Sequence, residues 1–314
     1  TVVPGIRVDS HSSGEEYSTS VKVSDSAFPT TKFSKTTVNP RIAIKYELTP
    51  SLVLRANVGT GFRAPYGFSE DLHLCSGSPR VWKSSNLKGE RAISYNLSAD
   101  YYAKKYQFSI NIFRTNLKDK IQFSPADDEV KKFGYSYQWE NVDDAYVQGV
   151  ELGAKANLFR NFNAGINWTF NQGKFKHERA DWSDPNDETV KEFPQRLQYA
   201  KDSRNISRFP AMTGDIDLDY TPGTWSFSLT SSLQGKMYID YNSEDNGATS
   251  KIKKTNTFMI FNCRAAKRFG TCTVYAGAKN IFSYIQDEKH TDDAAFMYAP
   301  VYGATWYVGL SVKL

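Results

Sequence analysis

Residues 41–65 read RIAIKYELTPSLVLRANVGTGFRAP. Ile42, Ile44, Tyr46 and Leu48 alternate strictly with Arg41, Ala43, Lys45 and Glu47. Past the turn at Thr49-Pro50, Leu52, Leu54, Ala56 and Val58 alternate with Val53, Arg55, Asn57 and Gly59. A period of two marks a β-strand with one apolar and one polar face, so the stretch reads as two paired strands. A soluble sandwich would turn the apolar face onto a second sheet, and a membrane barrel would turn it onto lipid. The rest of the chain decides between the two.

The chain has 314 residues, 40% hydrophobic and 14% aromatic, with a mean hydropathy of −0.54. No apolar run approaches the roughly 18 residues of a spanning helix, which excludes a helical membrane protein. A polar average is compatible with a membrane barrel, where half of each spanning strand faces a wet lumen. The net charge of +5 arises from 39 basic and 34 acidic residues that are interspersed, and no basic block points to nucleic acid. Thr1 opens the chain without a signal peptide or initiator Met, so the start reads as mature or excised. Three cysteines are too few for a disulfide scaffold or a zinc site. Cys263 and Cys272 flank the turn KRFG and read as small apolar strand residues, with a near-opposite pairing as the alternative. Cys75 lies in a polar loop.

Alternating strands recur to the last residue, at 2–11, 38–48, 51–62, 91–103, 106–123, 144–158, 162–175, 209–221, 224–240, 255–267, 271–285 and 304–314. Short connections fall at Thr49-Pro50, Lys104-Lys105, Arg160-Asn161, Pro222-Gly223 and Arg268–Gly270, and they alternate with long polar ones. Sorting turns to one rim and loops to the other suits an outer-membrane barrel with its long loops extracellular. The polar faces carry Ser, Asn, Thr, Gly and paired charges rather than the Lys and Glu of a solvated sheet face. Aromatic residues near strand ends (Tyr101, Tyr102, Tyr106, Phe108, Trp225, Trp306) suit interfacial girdles. The apolar face of 41–65 is therefore expected to look at lipid.

Gly59–Ala64 matches G-x-G-x-x-A on paper, but Pro65 and a loop follow where a dinucleotide site needs a helix. The same stretch, GTGFRAP at 59–65, resembles a barrel segment of TonB-dependent outer-membrane receptors. Four more resemblances follow in the family's order. Asn86–Glu90 (NLKGE) is similar to its N-P-x-L-x-x-E segment, and Phe113–Ile121 to its F-x-N-x-x-x-D-x-I strand. Tyr137–Val142 (YQWENV) with Val147–Glu151 (VQGVE) resembles its Y-x-W-x-N-V and V-x-G-x-E pair, and Asn280–Phe282 its N-L-F. The resemblance spans essentially the whole chain and is closest to receptors of ferric catecholates. Two positions depart from the pattern. Leu314 stands in place of the usual terminal aromatic, and Asn96 where the family often has a second lumen glutamate.

The resemblance implies an all-β transmembrane antiparallel barrel. Residues 1–314 would supply about the last twelve of about 22 strands, with an N-terminal plug and the early strands lying outside this sequence. It also implies active transport of an iron complex, a ferric siderophore or haem, across the outer membrane of a Gram-negative bacterium. The energy would come from a TonB-type partner acting through the plug. The alternative is a self-contained 12-stranded outer-membrane channel or hydrolase. No catalytic residue, cofactor or resident metal is expected: His11, His73, His177 and His290 have no convincing Ser or Cys companion. The acidic runs Asp181–Asp187 and Asp287–Asp293 read as solvated loop acids rather than calcium sites. Candidate ligand groups are Arg63, His73, Arg80, Trp82 and Lys83, which combine cations and an indole for a large anion. His73 is the candidate iron ligand if the cargo is haem. Asp215, Asp217 and Asp219 point to one face of their strand and, with Glu151 at the family's lumen-glutamate position, are candidate plug contacts in the lumen.

Overall fold

The computed structural model describes residues 1–16, 27–65, 81–135, 137–177, 204–242, 250–286 and 297–313. Almost all of it is strand: β1 (Val2–Glu15), β2 (Thr31–Thr49), β3 (Leu52–Arg63), β4 (Val81–Lys83), β5 (Glu90–Tyr102), β6 (Tyr106–Pro125), β7 (Tyr137–Phe159), β8 (Phe162–Phe175), β9 (Met212–Tyr220), β10 (Trp225–Gln234), β11 (Tyr238–Asn242), β12 (Ser250–Lys254), β13 (Phe258–Phe269), β14 (Cys272–Lys279) and β15 (Thr305–Val312). A single turn of helix, Asp128–Lys131, sits between β6 and β7. One antiparallel path runs in chain order through β1-β2-β3-β5-β6-β7-β8-β9-β10-β13-β14-β15. These are the strands read from the alternation, in the order in which they were read.

The short turns work as their residues dictate. Asn161, Gly223 and Gly270 take positive φ of 66°, 61° and 59°, the left-handed conformation that a tight hairpin needs and that Gly and Asn tolerate best. The strands grow longer than expected toward the other rim. β1 runs to Glu15, β2 starts at Thr31 and β7 at Tyr137, because above the apolar band both faces are polar and the alternation disappears while the ladder continues. Three further departures follow from local packing. The expected strand 224–240 breaks at Gly235, whose amide turns to the Met212 carbonyl at 2.7 Å, and 238–242 instead forms a separate hairpin with 250–254. The expected strand 271–285 stops at Lys279, since Asn280 and Ser283 both adopt φ of 52°. Residues 81–83, read as loop, add the short β4 parallel to β7.

Outward positions are apolar and exposed, as at Ile6 (72%), Leu97 (58%) and Val308 (79%). One hydrogen-bonded row makes the strand tilt visible. It runs from Ile42 through Val58, Tyr95, Arg114 and Gln148 to Gln172. The row starts apolar and ends polar, so it climbs out of the apolar band as it crosses strands, as tilted barrel strands require. At the short-turn end, outward aromatics stack: Trp225 on Phe227 at 5.7 Å and Phe159 on Phe162 at 4.8 Å. Among the described residues β1 pairs only with β2, and β15 only with β14, so the sheet is not closed.

Cys263 lies opposite Ala278, whereas Cys272 lies opposite Phe269. The two are not cross-strand partners, and both are free thiols. The near-opposite pairing is thus excluded by register, and both behave as small apolar strand residues.

Candidate functional site

The sheet carries its compact packing at the rim of long connections. Leu87, Ile121 and Trp139 form a buried cluster against which Phe33 packs. Each comes from a different segment, and the segments are the motifs singled out in the sequence. Asn141 ties two of them together. Its Oδ1 accepts from the Lys88 amide at 2.8 Å, while its Nδ2 donates to the carbonyls of Lys88 at 3.0 Å and Asp119 at 2.8 Å. Glu90 accepts from the Ile121 amide at 3.0 Å. Gly89 lies against Phe62, where an added Cβ would meet the ring at 2.3 Å, and Phe62 stacks on Phe33. Gly149 is under the same constraint. An added Cβ would come within 2.7 Å of the Phe113 ring and 2.2 Å of the Phe170 carbonyl. Asn280 fixes the last long connection, donating to the carbonyls of Tyr284 and Tyr302 and accepting from the Tyr284 amide. The five motifs therefore build and anchor the rim. Sequence reading located them but did not show that four of them meet. The available signal was a glycine and two asparagines at fixed places beside aromatic residues.

Of the candidate ligand groups, Arg63 ends β3 at this rim and is exposed, and Trp82 is half-buried in β4. Lys83 is 8% exposed, at the register position of Trp139. His73 and Arg80 lie outside the described residues, as do Cys75 and both acidic loop runs. Charge at the rim is finely poised. Burial pushes the Lys120 ammonium below the usual lysine range, Glu90 opposes this, and Arg63 adds to it. Asp143 accepts from the His177 amide at 2.6 Å and pairs with its ring at 3.0 Å. Burial opposes ionisation of Asp143, but these donors and the Asp144 amide outweigh it and hold its carboxyl below the ordinary range.

The lumen face carries a second set. Arg55 and Asp100 form an ion pair between β3 and β5. Glu151 accepts from Asn111 at 2.9 Å. Asp215, Asp217 and Asp219 share the inward face of β9, and Asn167 donates to Asp215 at 2.8 Å. The strands flanking β9 are uncharged at the facing positions, but Lys155 reaches the group across Gly165. In register Lys155 faces Gly165, which faces Asp217, and a Cβ on Gly165 would lie 4.0 Å from Lys155 Cγ and 3.9 Å from Asp217 Cβ. One lysine beside three carboxylates leaves this stretch of wall acidic. Among the described residues no group of His, Cys, Asp or Glu is arranged to hold a metal ion.

These features can be set beside known proteins. Residues 1–281 match the family profile described as TonB dependent receptor-like, beta-barrel. The vitamin B12 transporter BtuB of Photobacterium profundum is 26% identical over 266 residues, which cover 82% of this chain and 36% of that protein. The ferric enterobactin receptor of Pseudomonas aeruginosa is 27% identical over 151 residues, covering 42% of this chain and 20% of the receptor. The chain thus spans well under half the length of these relatives. Among solved structures, the copper transporter OprC superposes with a TM-score of 0.69 at 20% identity, covering 98% of this chain and 44% of that one. The ferric citrate transporter FecA does so with a TM-score of 0.68 at 17% identity, covering 98% and 42%. At these identities the superpositions establish the fold alone. The family profile covers most of the chain, and this chain belongs to the family of TonB-dependent receptor β-barrels.

Proposed function

We propose that residues 1–314 form the C-terminal part of the barrel of an outer-membrane receptor that imports an iron complex, a ferric siderophore or haem. Long connections on the extracellular side capture the ligand, an N-terminal plug inside the barrel gates it, and a TonB-type protein supplies the energy. No covalent chemistry is involved. The observation that carries this reading is the open sheet. Among the described residues, twelve strands in chain order leave β1 and β15 each with one partner, and unpaired backbone edges are not tolerated in lipid. Further strands of the same barrel would satisfy both, whereas a self-contained 12-stranded channel would pair β1 with β15. An iron complex is favoured by the ferric-catecholate resemblance of the motifs and by the cations and indole that the sequence supplies at Arg63, Arg80, Trp82 and Lys83.

The test is uptake by cells lacking the gene, offered one iron complex at a time under iron limitation. Loss of uptake of a ferric catecholate or haem, restored by the full-length gene, is expected. Loss of cobalamin or copper uptake with every iron complex still imported would overturn the choice of ligand.

A further inference from the structure

On the outward face of β5–β8 the apolar band ends abruptly in a basic patch. Down β6 the outward residues change from Phe108, Ile110 and Ile112 to Arg114, Asn116 and Lys118; down β8 they change from Ile166, Trp168 and Phe170 to Gln172 and Lys174, with Lys176 just past the strand end. On β5, Ile93 gives way to Arg91. On β9, β10 and β13 the ladder ends lower, still inside the apolar band: Met212 pairs with Phe170, and Leu233 and Met259 share the row of Trp168.

The patch surrounds a cleft of about 600 Å³. It opens where the β2–β3 pairing ends, at Arg41 opposite Gly59. Its lining contains five basic residues, Arg91, Arg114, Lys118, Lys176 and Arg204, against one acidic residue, Asp144. Asp144 is already engaged, accepting from the Asp119 amide at 3.1 Å. Arg91 and Lys118 are direct cross-strand partners and both exposed, so two like charges are held side by side, an arrangement that is unfavourable without an anion between them. Among the described residues neither is in an ion pair, and nor is Lys176. Arg114 is held in place rather than free: it donates to Asn116 at 2.9 Å and to Gln148 at 2.7 Å, and stacks 4.3 Å over Tyr146. The apolar side of the cleft is formed by Val38, Phe62 and Ile93, directly above the lipid-facing band.

We infer that this cleft binds the phosphate-bearing headgroup of an outer-leaflet glycolipid, with Arg91, Arg114 and Lys118 on the phosphates and the apolar side against the first acyl methylenes. The inference rests on the outer-membrane reading above and on its placing the long connections outside. A multiply charged phosphorylated headgroup matches several fixed cations, and only an amphiphile also matches a site that is basic above and apolar below.

The experiment uses the full-length receptor, delipidated in neutral detergent and titrated with purified lipopolysaccharide. Native mass spectrometry and thermal stabilisation are the readouts. The double variant Arg91→Gln/Lys118→Gln is expected to bind about thirtyfold more weakly, the factor for losing two cations near an anionic lipid surface. Lys45→Gln in the lumen is expected to leave binding unchanged. Inorganic pyrophosphate tests the phosphate alone and should bind far more weakly than the glycolipid. Equal glycolipid binding by wild type and double variant, or pyrophosphate binding as tightly as the glycolipid, would overturn the inference. A receptor that fractionates with the outer membrane yet binds no glycolipid removes only this site. A receptor absent from that membrane removes the broader reading instead.

Discussion

Asn141 and Lys88 hold each other by a reciprocal pair of hydrogen bonds, amide to side-chain oxygen at 2.8 Å and side-chain nitrogen to carbonyl at 3.0 Å. The contact spans 53 positions of sequence and fastens the return of one long connection onto β7. Asn141→Ala leaves the Lys88 amide and two carbonyls without these partners, and should cost about 1–3 kcal/mol. Asn141→Asp keeps the acceptor and loses the donor, so it should fall between. Urea unfolding of the folded barrel in micelles measures both, and an unchanged midpoint for Asn141→Ala would remove the clamp from the argument.

Gly89 and Phe62 give a second test of the same rim. An added methyl at Gly89 meets the Phe62 ring at 2.3 Å, and overpacking of this kind costs about 1–3 kcal/mol. If the ring is the obstacle, Gly89→Ala should cost less in a Phe62→Ala background than in the wild type. Additive losses in the double-mutant cycle would show that some other contact is responsible.

The two faces of β8 should respond oppositely to charge. Ile166 looks outward, and Asn167 looks inward and donates to Asp215 at 2.8 Å. Ile166→Arg should cost about 2–4 kcal/mol at mid-depth. Asn167→Arg should cost far less, because it places a cation beside Asp215 in a wet lumen. Equal costs in lipid-vesicle refolding would contradict the assignment of faces.

The fold was legible because lipid on one side and water on the other impose a period of two over the whole spanning length of a strand. Legibility ended where that contrast ended. Ser10 and Ser12 at the top of β1 alternate with nothing apolar, so the continuation of β1 to Glu15 left no trace in the pattern. The rim was legible only as motifs. Gly89 and Asn141 stood out as residues, but their meeting depends on chain returns that no local periodicity encodes. Likewise Lys155 lies some 60 positions before Asp217, and only the register through Gly165 brings them together.

Acid should weaken the upper end of β7. The Asp143 carboxyl is held below its ordinary range by donors from His177 and Asp144, which outweigh its burial. A depressed carboxylate contributes stability that is fully present above its unfolded value, about 3.9. That contribution is lost as pH falls through the lower folded value. Hydrogen exchange at the His177 amide should therefore be slow near neutrality and accelerate as pH falls below about 4, relative to strand amides nearby. Asp143→Asn should abolish that extra acceleration. If the variant behaves like the wild type, the pair does not hold this end.

Asp215, Asp217 and Asp219 ask for cations that the described wall does not fully supply. Like charges on one strand face, with Lys155 beside them, are expected to meet Lys or Arg of the plug within about 4 Å in the full-length receptor. Replacing all three by Asn should loosen the plug, read as a higher rate of antibiotic entry through the barrel, while Asn replacements at exposed Asp128 and Glu129 on the rim helix should not. A full-length structure with only water beside the three carboxylates would end the proposal.

The nature of the cargo can be separated by two substitutions that ask different chemical questions. Arg80 and Lys83 offer charge, and a ferric catecholate and the propionates of haem both answer to charge. The double variant Arg80→Gln/Lys83→Gln should therefore weaken capture of either ligand and flatten its salt dependence. His73 offers a ligand to iron itself, which a catecholate already saturates with its own oxygens. His73→Ala should lower haem binding and leave ferric catecholate binding unchanged. Lys83 is 8% exposed and Arg63 is exposed at the same rim, so Arg63→Gln serves as the variant least able to disturb packing and should reproduce part of the charge effect. Titration of the full-length receptor with one ferric catecholate and with haem, at low and high salt, distinguishes these outcomes. Unchanged affinity for both ligands in the Arg80/Lys83 and Arg63 variants would take this connection out of the binding site.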